Sequence, residues 1–97
     1  MSDVGHKADA GKLRWATLLP WDALEQVVRV LEFGAVKYSV DNWRHVPDAR
    51  YRYRDALLRH TVAMIRGEDT DPESDLPHAA HAACCALFLV ALERAWK

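Results

Sequence analysis

An all-α fold is predicted, a small bundle of about three main helices preceded by an N-terminal arm. Apolar residues recur at helical spacing in three stretches, turn-forming residues separate those stretches, and no run alternates apolar with polar as a half-buried strand does. The chain has 97 residues, which makes a single domain over 1–97. A chain of this size buries only roughly 60–65% of its unfolded surface, so completion by oligomerisation, as a homodimer or homotetramer, is expected.

Residues 1–14 are polar, carry Lys7 and Lys12, and lack apolar periodicity, so they are read as an arm ordered only by docking. Trp15 to Trp21 follows, with Leu18-Leu19-Pro20 inside it. Asp22 and Glu25 have capping-box spacing, with Asp in place of the usual Ser or Thr, so the first main helix is expected to start near Asp22. Leu24, Val27, Val28, Leu31 and Ala35 form its core stripe, Glu25, Arg29 and Glu32 lie on the opposite flank, and Gly34 is expected to admit a close neighbour. Ser39, Asp41, Asn42, Pro47 and Asp48 make Tyr38–Ala49 a loop, and it carries Trp43.

The second main helix is expected over roughly Tyr51–Arg66, with Leu57, Leu58, Val62 and Ile65 as core stripe, His60 on its flank, and Gly67 as C-cap glycine. After an acidic turn, Pro77 suits the first turn of a third helix that ends at or near Lys97. That helix is apolar nearly all round from Ala79 to Leu92, which places it at the centre of an oligomer.

Composition excludes several classes of function. The formal net charge is -1, so no broad basic face exists for nucleic acid. The longest apolar run is too short to span a bilayer, no signal-peptide hydrophobic region is found, and no membrane partner is expected. Cys84 and Cys85 are adjacent on one helix, where neighbouring side chains point apart, so an intrachain disulfide is not expected and the cytoplasm is the expected compartment.

Chemistry concentrates between Arg54 and Cys85. Five carboxylates, Glu68, Asp69, Asp71, Glu73 and Asp75, crowd eight positions. They suit a hard divalent ion such as Mg²⁺ or Mn²⁺, or else form a solvated loop that favours the start of the following helix. The loop is not an EF-hand, because Ser74 and Ala80 stand where that motif needs Gly and Glu. His78 and His81 share a helical face and His60 can come beside them, a set able to ligate zinc with Cys85, to form a structural hydrogen-bonded pair, or to act as acid or positioning donor. Lys37 and Arg59 are candidates to meet phosphates. Asn42 and Trp43 could read and stack a base, although Trp43 could equally anchor its loop on the core. Glu25 has a capping explanation beside a metal-binding one.

Lys7-x-Asp9-x-Gly11-Lys12, Leu18-Leu19-Pro20-Trp21, Gly34-Ala35-x-Lys37-Tyr38, Asn42-Trp43, Arg59-His60, Gly67-Glu68-x-x-Asp71-Pro72-Glu73-Ser74 and His78-x-x-His81-Ala82-x-Cys84 occur in order along nearly the whole chain. This series resembles the phage dATP/dGTP diphosphohydrolase N-terminal domain family, related to MazG-like all-α nucleoside triphosphate pyrophosphatases. The resemblance implies a helical oligomer that cuts purine deoxynucleoside triphosphates between the α and β phosphates with Mg²⁺ or Mn²⁺. It draws attention to Lys37, Asn42, Arg59, His60, Glu68, Asp71, Glu73, His78 and His81, and the functional reading built on these residues gives Glu68, Asp71 and Glu73, with Glu25, to the metal. Lys37, Arg59, Asn42 and Trp43 go to the substrate, and His60, His78 and His81 to catalysis. Asp75 and Cys85 depart from the family's usual Gly and Asn, and the paired helical carboxylates of MazG-like enzymes are not evident. The alternative reading is a non-catalytic nucleotide-binding or helical oligomerisation module.

Overall fold

The computed structural model describes residues 4–93. Its helices are α1 (Trp15–Leu18), α2 (Trp21–Lys37), α3 (Ala49–Ile65) and α4 (His78–Leu92), with a 3₁₀ turn at Asn42–His45 between α2 and α3. The all-α class is borne out. One addition is a minimal antiparallel ladder, β1 (Thr70–Asp71) on β2 (Leu76–Pro77), inside the acidic turn. Two-residue strands are too short to leave an alternating pattern.

Helix α4 is the centre of the fold. It lies against α3 over its length and against α2 on another side. Helices α3 and α4 run antiparallel: at one end Arg50 donates to the Leu92 carbonyl at 2.9 Å, and at the other His60 meets His78 at 2.8 Å. On the α2 side the Cys84 thiol donates to the Val27 carbonyl at 3.4 Å. Val27, Val30, Ala80 and Cys84 form the buried core, with Leu24, Leu31, Leu76, Ala83 and Phe88 packed around it. Ala80, Ala82, Cys84 and Cys85 are small, and small side chains at a contact let helix axes approach. Burying Val27 and Val30 contributes about 1.5–3 kcal/mol each. The α2 and α3 neighbours thus cover much of the surface that the sequence leaves for an oligomer partner, while Leu87 and Val90 remain exposed.

Helix ends follow local chemistry, with corrections. Helix α2 begins one residue before the expected cap, with Pro20 as N-cap and no side-chain cap bond, so the Asp22/Glu25 capping box does not form. The Trp21 indole N–H instead donates to the Ala16 carbonyl at 3.2 Å and ties α2 to α1. Gly67 behaves as expected, at φ +93. Its N–H bonds Met64 O at 3.0 Å and the next N–H, of Glu68, bonds Ala63 O at 2.9 Å, the paired bonds of a Schellman motif. Pro77 is the N-cap of α4 rather than a first-turn residue, because its backbone is held in β2. The expected end at Lys97 lies outside the described residues, and within them α4 stops where Glu93 turns extended.

The expected core stripe of α3 is overturned except at Leu57, which is half-buried. Leu58, Val62 and Ile65 are exposed, Ile65 by 79%, and no α3 residue is fully buried. Helix α4 docks instead on the face that carries His60, drawn there by the polar contacts described below. On α2, Val28 is likewise exposed while Val30 takes its place in the core. Gly34 has no atom within 4 Å of an added Cβ, contrary to the expected close neighbour, because the space over it is a cavity. Residues 4–18 are exposed throughout, in keeping with an arm that the rest of the domain does not cover. Both cysteines are free thiols, and no described helix is long and apolar enough to cross a membrane.

Candidate functional site

A cavity of about 630 Å³ opens between the C-terminal half of α2, the 3₁₀ turn, α3 and α4. It has a polar end and an aromatic end. The polar end is assembled by the α3–α4 connection. The Schellman motif reverses the chain at Gly67 and sets Glu68 beside α4, and the ladder returns it so that the His78 N–H bonds Asp69 O at 2.8 Å. His78 therefore starts α4 opposite His60, which sits near the end of α3.

Asp71 holds the intervening turn. Its Oδ1 accepts the N–H groups of Glu73 at 2.7 Å and Ser74 at 3.2 Å. Burial is the largest influence on Asp71 and opposes its ionisation, but these backbone donors, together with His81 and His60 nearby, keep its carboxyl below the usual range. Its other oxygen, Oδ2, faces His60 Nδ1 at 3.8 Å. Asp75, at φ +60, closes the turn in the left-handed region that Asp tolerates better than most residues.

Three imidazoles meet here. His60 Nδ1 is 2.8 Å from His78 Nδ1, and His78 Nε2 is 2.7 Å from Glu68 Oε1. His78 is buried whereas Glu68 is exposed, so the chain of contacts runs from solvent through α4 to the cavity. His81, one turn along α4, stacks on His60 with centroids 4.6 Å apart and rings 13° from parallel. Its Nε2 lies 2.6 Å from Ser74 Oγ, and Phe33 contacts its ring edge-on. Burial pushes both His60 and His81 below the ordinary histidine range, and the other imidazoles add to the effect. Both are neutral at pH 7.

Of the metal assignments, Asp71 alone lies in a converging donor set. One donor atom each from His60, Asp71 and His78 lie within 4.8 Å of one another. Glu68 is turned to His78, Glu73 accepts from Lys37 Nζ at 2.9 Å, and Glu25 pairs with Arg29 at 3.0 Å on an exposed face of α2. Cys85 stays out of the set, and burial raises its thiol above the ordinary range, as it pushes Cys84 to about 12. A zinc site that draws on Cys85 is therefore disfavoured, because the thiolate is the ligand form.

The cations and aromatic groups flank this cluster. Lys37, at the end of α2, lines the cavity and is held above its usual range first by its hydrogen bond to Glu73. Arg59 and Asn42 also line it. Trp43 stacks on Phe88 at 4.6 Å and 11°, and the Arg44 guanidinium lies 4.3 Å from its ring. Trp43 thus anchors its loop on the core and borders the cavity at once, and both neighbours compete with a base for its ring. Sequence reasoning passed over Ser74, Phe33 and Phe88. The Glu73-Ser74 pair within the ordered motifs was a usable signal for Ser74, whereas nothing local marks Phe33 or Phe88.

A family model described as dATP/dGTP diphosphohydrolase, N-terminal, matches residues 2–97. A protein of Salmonella phage PMBT28 named dATP/dGTP diphosphohydrolase is 38% identical over 86 residues, which cover 89% of this chain and 29% of the phage protein. The chain therefore spans under a third of that relative's length. No solved structure matches.

Proposed function

The chain belongs to the dATP/dGTP diphosphohydrolase N-terminal family, and from that membership and the cavity we propose that it hydrolyses purine deoxynucleoside triphosphates to the monophosphate and pyrophosphate. The observation that carries the reading is the meeting, around one cavity, of two cations, an imidazole–carboxylate cluster and an aromatic wall. Each supplies one requirement of the reaction.

Lys37 and Arg59 bind the phosphate chain and neutralise the charge that grows on departing pyrophosphate. Glu73 keeps Lys37 charged and in place through its 2.9 Å contact. Asn42 offers an amide to a base edge, and Trp43 borders the base. In the neutral His81 tautomer whose Nε2–H is donated to Ser74 Oγ, Nδ1 would have a lone pair to take the proton released when water attacks the α phosphorus. The reaction would use a divalent ion, Mg²⁺ or Mn²⁺ in the reading from sequence, and Glu68 fixes the His78 ring beside the cavity. Such an ion would neutralise charge on phosphate oxygens and help form the nucleophile. Self-association as a dimer or tetramer belongs to the same reading and is supported by exposed Leu58 and Ile65 on α3.

The test is ion-exchange product analysis after incubating the protein with each deoxynucleoside triphosphate, with and without divalent metal. Deoxynucleoside monophosphate and pyrophosphate, metal-dependent and fastest with purines, are expected. Nucleotide that raises the melting temperature without any product would favour a binding module instead. That alternative has one observation behind it: Glu25 and Glu73 are already paired with cations.

A further inference from the structure

We propose that the metal of this domain is held by two imidazoles and one carboxylate, His60, His78 and Asp71, so that it is a first-row ion of the Mn²⁺ to Zn²⁺ class rather than Mg²⁺. The inference rests on the metal dependence proposed above and concerns which residues and which ion supply it. The all-carboxylate set expected from sequence does not come together, since Glu25 and Glu73 are paired with Arg29 and Lys37. What converges instead is mixed nitrogen and oxygen.

Three independent features of the cluster fit an ion. The donor atoms are close enough: His60 Nδ1 is 2.8 Å from His78 Nδ1 and 3.8 Å from Asp71 Oδ2. Ligands around one such ion, bound at about 2.0–2.2 Å, sit roughly 3 Å from each other, so only small side-chain shifts are needed. The carboxylate is divided in its duties, because Oδ1 accepts two backbone N–H groups and leaves Oδ2 toward the imidazoles. The histidine is oriented from behind. Glu68 Oε1, at 2.7 Å, accepts the proton of His78 Nε2, which fixes the tautomer whose Nδ1 presents a lone pair. A ligating histidine commonly donates its other N–H to a carboxylate in this way.

Ligand chemistry then selects the ion. Imidazole nitrogen suits Fe²⁺, Ni²⁺, Cu²⁺ and Zn²⁺, and affinity at a mixed nitrogen and oxygen site rises along the first row from Mn²⁺, whereas Mg²⁺ demands near-ideal octahedral geometry and gives up its water reluctantly. His81 is left outside the set, with its Nε2 engaged by Ser74.

The experiment is titration of chelator-stripped protein with MnCl₂, ZnCl₂ and MgCl₂ by calorimetry, with pulsed EPR of bound Mn²⁺ to detect nitrogen coupling. One Mn²⁺ or Zn²⁺ per chain, imidazole nitrogen coupling, and Mg²⁺ affinity at least tenfold weaker are expected. Asp71→Asn should weaken Mn²⁺ more than tenfold. Glu68→Gln, a positioning change, should weaken it by about 10- to 100-fold with the nitrogen coupling kept. His78 is buried, so circular dichroism accompanies His78→Ala, and Asp71→Asn, which retains an oxygen for the turn, decides the matter if that variant unfolds. Mn²⁺ bound without nitrogen coupling, or with affinity indifferent to both Asp71→Asn and Glu68→Gln, overturns the proposal, as does the absence of binding. Turnover with Mg²⁺ alone and no nitrogen coupling would sink this site while sparing the hydrolase reading. Nitrogen-coupled Mn²⁺ with no nucleotide cleavage would do the reverse.

Discussion

The two ends of the cavity are built by different forces. At the polar end, Glu68, His78 and His60 are joined by directional contacts at 2.7 and 2.8 Å, and Asp71, 3.8 Å from His60, is itself fixed by backbone N–H groups. At the aromatic end, Trp43 and Phe88 are held by ring stacking, with Arg44 over the same ring. Directional contacts fix the position of each atom, which the proposed chemistry at phosphorus would require. Stacking tolerates sliding, and a base is held well enough by a face. The lesson is that changes at one end should show in kcat and changes at the other in KM.

The largest effect should come from Asp71. Asp71→Ala removes both the turn acceptor and the oxygen facing His60, so turnover should fall on the order of 100-fold or more. Stability should fall by about 1–2 kcal/mol through the lost backbone contacts. Asp71→Asn should recover the stability without recovering the turnover. Steady-state kinetics with thermal melts separate these outcomes, and an Asn variant with normal turnover would erase the distinction between the two ends. Trp43→Ala should raise KM about tenfold with kcat nearly unchanged, in line with a stacked base contributing about 1–3 kcal/mol. It should also lower the melting temperature, because the Phe88 stack is lost. A fall in kcat alone would place Trp43 with the chemistry instead.

The smallest effect is on stability against pH, measured by thermal melts with a chelator present. His60 and His81 are held below their unfolded value of about 6.5 in the folded chain. The unfolded state then binds more protons in that range, so their contribution is complete above about pH 6.5 and is lost as pH falls through the lower folded values. Asp71 behaves similarly in a lower window, its contribution being lost below the usual carboxylate range. Replacing His60 and His81 together by Gln should flatten the mildly acidic loss and leave the Asp71 window. An unchanged profile would mean that burial of these rings does not set their charge.

Much of the candidate site is legible in the sequence. Asp71, His60, His78, Lys37 and Arg59 were all named from residue type and spacing, and they do border one cavity or cluster. Glu25 was named on the same grounds and lies apart, paired with Arg29. A carboxylate's type says that it can bind a cation, and its neighbours in space decide which one. Ser74 was hidden for the converse reason, since a serine in a turn has a local explanation until His81 is found 2.6 Å away.

The sequence by itself determined the three main helices, the loop between the first two, the glycine reversal at Gly67 and the density of charge that follows it. These depend on helical period and on φ preferences, which act within a few residues. Tertiary structure decided which face of α3 is inside. Leu58, Val62 and Ile65 form an apolar stripe, yet α4 packs on the His60 side, because burying a polar ring is tolerated only where it finds partners, and His60 finds His78 and His81 on α4 and Asp71 in the connection to it. Contacts across an 18-residue separation, as between His60 and His78, leave no period to read.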